Sequence, residues 1–547
     1  MSESTQMTNP QGGIRLTLVA GGLILAVAGC SQGGSVLIVP DAGPAAADAA
    51  TTVDAGATSP ADASGVAPPD AGTEAGTGPE VLSLSVSPLV LSPPFSPSVH
   101  DYVVRCAAGS NQLDVEVQVS AGATVAARTP TTSSSAQPTK FTMAVDEDDA
   151  VIVQAVGSHP GQEYWVRCLP HDFPRIVVTP HTSAGAPTPG WYLTGNSSVG
   201  SDEGGYAMVL DTSGTPVWYE YTSAMVGASN VDRRPDGSIS YIMDTGAFGT
   251  DPTAAYTVQK LSPWQTSSIH AVEGPTDAHE LQTLPNGDVL LFTYPIVSGV
   301  DLTGLSTFGA NENVADCIIE ELDFTGALVW HWQASDHIDP VKESLIPLVS
   351  TLNGMTVVDP YHFNAVDVDA SGNLLLSARD LSALYYIDKT TSQVVWKLGG
   401  TAYSKDGAQL IRVVNDSEVT FSAQHDGRFQ GSSAVSMFDD HNNGVGPARG
   451  VEYAIDFSAG TATPDWQYAT AKAQSQATGS FRRYADGSNV ICWGVAPTNP
   501  VTFTEVTNAG QDVLDVAIGT GDFAYRTVKV AESAFDHDTL RLTAGHR

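Results

Sequence analysis

From about residue 81 the chain alternates apolar and polar side chains with a period of two. The clearest runs are Val81-Leu82-Ser83-Leu84-Ser85-Val86 and Leu113-Asp114-Val115-Glu116-Val117-Gln118-Val119, followed by 141–145, 150–156 and 164–168. A side chain of one kind at every second position is the signature of a strand with one buried face. Pro and Gly separate the runs. About seven short strands within roughly 90 residues predict a β-sandwich over 81–170.

From about residue 175 two short themes recur. The first is a Gly turn feeding an apolar strand, as in Pro235-Asp236-Gly237-Ser238-Ile239, Pro285-Asn286-Gly287-Asp288-Val289, Ala370-Ser371-Gly372-Asn373-Leu374 and Ala485-Asp486-Gly487-Ser488-Asn489. The second is an Asp-initiated turn leading into a strand that ends in Trp: Asp211 to Trp218, Asp323 to Trp330, Asp388 to Trp396 and Asp456 to Trp466. Such turns suit antiparallel hairpins. Hairpins repeated every 50–85 residues or so predict propeller blades. The fold class expected is therefore all-β: a six-bladed β-propeller over 175–547, preceded by the small sandwich. A stacked β-solenoid or two sandwiches are the alternatives. The irregular spacing implies an insertion at 295–359, and the strand-end Trp residues are expected between blades rather than at a ligand.

The N-terminus departs from these patterns. Arg15 precedes an apolar run from Leu16 to Ala28, too short to span a bilayer comfortably and ending in small residues before Cys30. Leu25-Ala26-Val27-Ala28-Gly29-Cys30 resembles a bacterial lipobox. The expectation is a lipoprotein signal peptide over 1–30, cleavage before Cys30, lipidation of its thiol, and a protein exported to the periplasm or cell surface and anchored to the outer membrane. An ordinary signal peptide is the alternative. Residues 31–80 are rich in Ala, Gly, Pro, Ser and Thr, with seven acids and no Lys or Arg. They predict a disordered, self-repelling tether.

Composition narrows the function. The 547 residues carry 24 Lys+Arg against 60 Asp+Glu, a formal net charge of −36. Nucleic-acid binding needs a basic footprint and is excluded. No CxxC pair occurs, so a zinc or thioredoxin-type site has no support. Cys106 and Cys168 bracket the sandwich and can form a disulfide; Cys317 and Cys492 can pair only if the fold joins them. Either pair can instead be buried free thiols.

Three histidines share a placement just before or at the start of a blade's inner strand: His279 in Asp277-Ala278-His279-Glu280, His362 in Tyr361-His362-Phe363-Asn364, and His425 in Gln424-His425-Asp426. Inner strands of a propeller converge on one axis, so these histidines are expected in one central pocket. Arg379, in Leu376-Ser377-Ala378-Arg379, joins them. His331, His337 and His441 stand in insertion or loop contexts and read as structural or exposed.

These segments resemble the bacterial arylsulfate sulfotransferase family over roughly residues 190–500. The resemblance rests on 277–291, on His362-x-Asn364 through Ser377-x-Arg379 to Trp396-Lys397-Leu398-Gly399-Gly400, and on Gln424-His425-Asp426 followed by Phe438-Asp439-Asp440. It implies a six-bladed propeller that moves a sulfuryl group from an aryl sulfate donor to a phenolic acceptor, with no nucleotide donor and no cofactor. It further implies that His425 is the nucleophile, transiently sulfated, that His279, His362 and Arg379 bind the sulfuryl oxygens, and that Asn364 lies nearby. The string Leu82-Ser83-Leu84-Ser85, with Pro94-Phe95-Ser96-Pro97 and Tyr102-Val103-Val104, resembles the bacterial cadherin-like sandwich module, which is not the usual N-terminus of that family.

The chemistry agrees. Sulfuryl transfer wants a neutral imidazole to attack, fixed donors for the oxyanion and a proton for the leaving phenolate. Arg379 offers a permanently charged planar fork, and a protonated His279 or His362 can act as the acid. Two other classes fit parts of the sequence: a non-catalytic binding propeller, and a metal-dependent enzyme using the histidines as ligands. The retention of His279, His362, Arg379 and His425 together disfavours the first. The charge of Arg379 disfavours the second.

Overall fold

The computed structural model describes residues 78–546, apart from 198–202, 224–226, 244–250, 353, 419, 443–445, 471–473 and 498. The expected signal peptide, its Cys30 and the tether as far as residue 77 lie outside the described residues. None of the described helices is long and apolar enough to cross a membrane.

The structure is all-β. Residues 81–169 form the expected sandwich. Val81–Ser87, Ser110–Val119 and Lys140–Asp146 make a three-stranded sheet; Asp101–Arg105, Pro160–Leu169, Ala150–Val156, Thr124–Arg128 and Ser135–Gln137 make a five-stranded one. The alternation seen in the sequence is the alternation of burial: Leu113, Val115 and Val117 are buried and Asp114, Glu116 and Gln118 are exposed. Each such side chain contributes about 1.5–3 kcal/mol when fully removed from water. Asp101–Arg105 runs parallel to Pro160–Leu169. That pairing brings Cys106 and Cys168 to a Cα separation of 5.5 Å, and they form a disulfide. Cys317 and Cys492 are buried free thiols.

Among the described residues, the rest of the chain holds six four-stranded antiparallel sets, two of them joined through one extra strand into a nine-stranded sheet and one widened to five strands, besides a small mixed sheet. The first combines both ends of this region: Trp191–Gly195 pairs with Gly205–Leu210 on one side and with the late strand Thr527–Val530 on the other. The remaining five begin at Ala228–Arg233, Thr276–Thr283, Phe363–Val368, His425–Phe429 and Ser480–Arg483. Those five leading strands and Thr527–Val530 pack neighbour against neighbour in a closed ring. Outside the ring, Ile176–Pro180 adds a fifth strand to the last sheet. Gln409–Val413 runs parallel to strands of two sheets and stitches the fourth to the fifth.

Local chemistry explains the hairpins. Asp211 Oδ1 accepts the N–H of Ser213 at 2.8 Å, and Asp323, Asp388 and Asp456 repeat this turn with Thr325, Thr390 and Ser458. Gly237 and Gly372 stand at φ 84° and 85°, a region that favours glycine. The strand-end Trp466 stacks on Phe481 of the following sheet, with ring centroids 5.0 Å apart.

Residues 295–359 are only partly an insertion. Ile318–Leu322 and Leu328–Gln333 are the outer strands of the third sheet. His331 therefore sits on a regular outer strand, paired with Glu273. The true excursion is a small sheet of Ile296–Val300, Glu312–Ala315, Met355–Asp359 and Leu348–Leu352, with two short helices, Ala334–His337 and Pro340–Glu343. His337 pairs with Asp406 and His441 is buried, both structural.

The C-terminal helix His537–Thr543 joins sandwich to ring. Arg541 donates from Nε and Nη2 to the two oxygens of Asp101, at 2.8 and 2.9 Å. Arg167 donates to the Arg541 carbonyl.

Candidate functional site

His279 lies within Thr276–Thr283, His362 directly precedes Phe363–Val368, and His425 opens His425–Phe429. These are successive strands of the inner ring, so the three side chains meet at its middle. All three are held in the same way. The Nδ1 of His279 contacts Asp277 at 2.6 Å, that of His362 contacts Asp359 at 2.7 Å, and that of His425 contacts Asp440 at 2.6 Å. Asp277 and Asp359 also accept the backbone N–H of the histidine they orient, at 2.9 Å each. Asp440 reaches His425 from the neighbouring strand, where His425 pairs with Phe438.

The predicted residues come together. The rings of His279 and His362 meet edge to face, 4.8 Å between centroids. The Arg379 N–H donates to the His362 carbonyl at 2.9 Å. Asn364 is fully buried and donates from Nδ2 to the Gln424 carbonyl at 2.6 Å, bracing the strand of His362 against that of His425. Gln424 is itself pinned through Nε2 to Ser377 Oγ and to the carbonyls of Ala378 and Ala383.

Electrostatics divides the three rings. Burial, then the charges of Arg379, His279 and Arg526, hold His425 well below the ordinary imidazole range. Burial and the neighbouring His279 do the same to His362. The backbone N–H of Thr478 donates to His425 Nε2 at 3.3 Å, which puts the lone pair on Nε2 and the proton on Nδ1. Asp440 therefore accepts that proton; burial pushes its carboxyl up to about 8, and positive charge growing on His425 favours its ionised form. Burial also raises Asp359 to about 7 and Asp380 to about 6.

Beneath the histidines lies a buried ionic cluster. Arg428 and Arg526 pair with Glu280, and Arg428, Arg482 and Arg526 converge on Asp426. Tyr525 donates its hydroxyl to the carbonyls of His279 and Asn364, at 3.0 Å each.

Asp359, His362 and Asp380 offer ligand atoms within 4.8 Å of one another, a spacing that suits a metal ion; His181, Asp512 and Asp515 do so near the outer edge of the last sheet. In the inner group the carboxylates are already engaged, Asp359 by the backbone of Tyr361 and His362, Asp380 by Arg379 and Leu348.

Residues 248–517 match the family model described as arylsulfotransferase (ASST). Over these residues the chain is similar to the arylsulfotransferase family. No curated protein sequence matches it. Among solved structures it is similar to a protein of unknown function from Bacteroides caccae (10% identity, 63% of this chain and 99% of that one, TM-score 0.39). It is also similar to the periplasmic gluconolactonase of Pseudomonas aeruginosa (12% identity, 63% and 99%, TM-score 0.35). A third is a catalytically inactive virginiamycin B lyase from Staphylococcus aureus (9% identity, 53% and 69%, TM-score 0.29).

The arylsulfotransferase match points to an aryl sulfate sulfotransferase, with an aryl sulfate donor and a phenol acceptor. The arylsulfotransferase match contains His279, His362, Asn364, Arg379 and His425 together with their aspartates. Sequence reasoning alone did not single out Asp359, Thr478, Tyr525 or Arg526. Asp359 carries a usable signal, an acid three residues before a histidine at a strand start. Thr478, Tyr525 and Arg526 carry none locally, since they meet the site only when the last sheet and the final strand close the ring.

Proposed function

We propose that the closed ring is a six-bladed propeller and that its centre transfers a sulfuryl group from an aryl sulfate to a phenol through a sulfated His425. One observation carries this reading: a buried, neutral imidazole whose Nδ1 is fixed by Asp440, leaving the Nε2 lone pair beside Arg379 and two further histidines. In the first displacement Nε2 gives up the long hydrogen bond from the Thr478 N–H and attacks sulfur, and the sulfur–oxygen bond to the aryl group breaks with its electron pair leaving on the phenolate. Asp440 stabilises the imidazolium that forms. Arg379 and His362 hold sulfuryl oxygens, His362 from an Nε2–H while its Nδ1 accepts the proton of Asp359, whose carboxyl burial raises to about 7. His362 is kept neutral by burial, so the proton for the phenolate falls to His279, whose Nδ1 is held by Asp277. In the second displacement the acceptor phenol gives its proton to His279, its oxygen attacks sulfur, and the sulfur–nitrogen bond breaks to restore His425.

The test is release of a coloured phenol from a chromogenic aryl sulfate. Wild type should turn over faster when a phenol is added, and donor-treated protein should carry a sulfated His425 by mass spectrometry. An inactive wild type, or His425→Ala with undiminished release, refutes the reading. Acceptor-independent release would make the protein a hydrolase.

The remaining expectations join this proposal. Cys30 would be lipidated, placing an exported enzyme at the outer membrane on the 31–80 tether, with the cadherin-like sandwich as spacer. Cys30→Ser should move the protein from the membrane fraction to the soluble one; unchanged fractionation refutes the anchor.

A further inference from the structure

Asp380 divides its polar atoms between the candidate site and the excursion. Its Oδ1 accepts from Arg379 Nη1 at 2.6 Å, and its Oδ2 accepts the backbone N–H of Leu348 at 3.0 Å. Its carbonyl accepts the N–H groups of Leu345 and Ile346 at 2.9 and 3.1 Å. The side chain is fully buried. Leu348 opens the strand Leu348–Leu352, which pairs with Met355–Asp359, and Asp359 is the residue that orients His362. The excursion is anchored again just upstream, where buried Glu343 accepts from Lys397 Nζ at 2.9 Å and from the Lys405 N–H at 3.2 Å.

This wiring has a consequence for Arg379. A guanidinium on a long stem has many rotamers, and a single carboxylate oxygen on one nitrogen leaves rotation of the partner carboxylate free. Here the second oxygen is tied to backbone, so the carboxylate cannot turn and the Nη1 edge is fixed. The rest of the fork then faces one direction. Burying a carboxylate next to another, Asp359, is costly, and an apolar residue would fill the same space more cheaply if the loop only needed support.

We infer that Asp380 is a positioning residue for Arg379, and that segment 345–348 of the excursion belongs through it to the sulfuryl-binding machinery. This rests on the reading of Arg379 as a sulfuryl ligand.

The test is a double-mutant cycle on the full chain with Asp380→Asn and Arg379→Ala. Losing a charge-assisted hydrogen bond that acts through Arg379 should lower kcat/KM for the aryl sulfate by about 10- to 100-fold and weaken inorganic sulfate binding, read by calorimetry. In the Arg379→Ala background the same change should have no further effect. Equal losses in both backgrounds overturn the inference, because they would show Asp380 acting as loop support. Should Asp380→Asn fail to fold, Leu348→Pro removes the N–H donor together with the Leu side chain, and Leu348→Ala controls for that side chain; sulfate affinity in Leu348→Pro equal to that of Leu348→Ala overturns the inference equally. A wild type that neither binds sulfate nor releases phenol refutes the proposed function instead, so the two failures are distinct.

Discussion

Replacing Asp440 with Asn tests the chemistry most directly. The carboxylate sits 2.6 Å from His425 Nδ1 and is fully buried. In the resting state the imidazole is neutral, and Asn can still accept the Nδ1 proton through its amide oxygen. Orientation and ground-state binding should therefore survive. As Nε2 attacks sulfur the ring becomes cationic, and a unit charge roughly 4 Å away at an effective dielectric near 20 stabilises it by about 4 kcal/mol. That corresponds to roughly a thousandfold in rate. Because the attraction exists only in the transition state and the sulfated intermediate, the loss should appear in the rate of phenol release and not in donor KM. Pre-steady-state release of a chromogenic phenol measures the first displacement alone. The fold should not weaken, since the substitution removes a carboxylate that burial already opposes. A loss of less than about tenfold, with Tm unchanged, would refute the role assigned to the dyad.

Other outcomes follow from the same geometry. The first displacement should keep its rate as pH falls past 6.5, because burial holds His425 neutral below its ordinary range; a pH–rate profile falling by half near 6.5 would contradict this. Arg541→Ala leaves Asp101 buried with its guanidinium partner gone and should cost about 3–5 kcal/mol, with faster proteolysis after residue 169; an unchanged Tm would show that the sandwich is not latched by this helix. Reducing Cys106–Cys168, which closes a loop of 62 residues, should lower stability by about 4 kcal/mol on chain-entropy grounds, seen as a lower urea midpoint with reductant. Gly479→Ala places a methyl 2.5 Å from the Phe438 ring at φ 102° and should displace the Thr478 amide; a variant as stable and active as wild type would show that this amide is dispensable.

Much of this arrangement was legible because repeats are written locally. Alternation gave the sandwich strands, and the Asx turns at Asp211, Asp323, Asp388 and Asp456 gave hairpins whose side-chain bonds the structure shows. The histidines could be grouped because each stands at the same point of its repeat. What stayed hidden was non-local. The ring closes with Thr527–Val530 beside Trp191–Gly195, more than 300 residues apart in sequence, and nothing in either strand announces its partner. The two outer strands at 318–333 were hidden within an apparent insertion, because the excursion flanks them, one part at 296–315 and the other at 334–359. Asp380 was visible only as the residue after Arg379; its importance lies in contacts to Leu345, Ile346 and Leu348, more than 30 residues earlier.

The acidic composition poses one further question, how a protein of net charge −36 presents a positive site to an anionic donor. The answer lies in the cluster under the histidines. Glu280, Asp426 and Asp232 face Arg428, Arg482 and Arg526, so three arginines are gathered at the axis against three acids. The charge of Arg526 is among those that depress His425. Arg379 is paired with Asp380, whose charge burial opposes. In a desolvated interior such charges act with far less screening than the acids of the outer surface, whose field solvent and salt attenuate within about 10 Å. The buried arginines therefore act on an anion at the axis more strongly than the screened acids of the outer surface do. Arg379 and Arg526 also add to burial in keeping His425 unprotonated, so the cations that would attract a sulfuryl group preserve the nucleophile proposed to accept it.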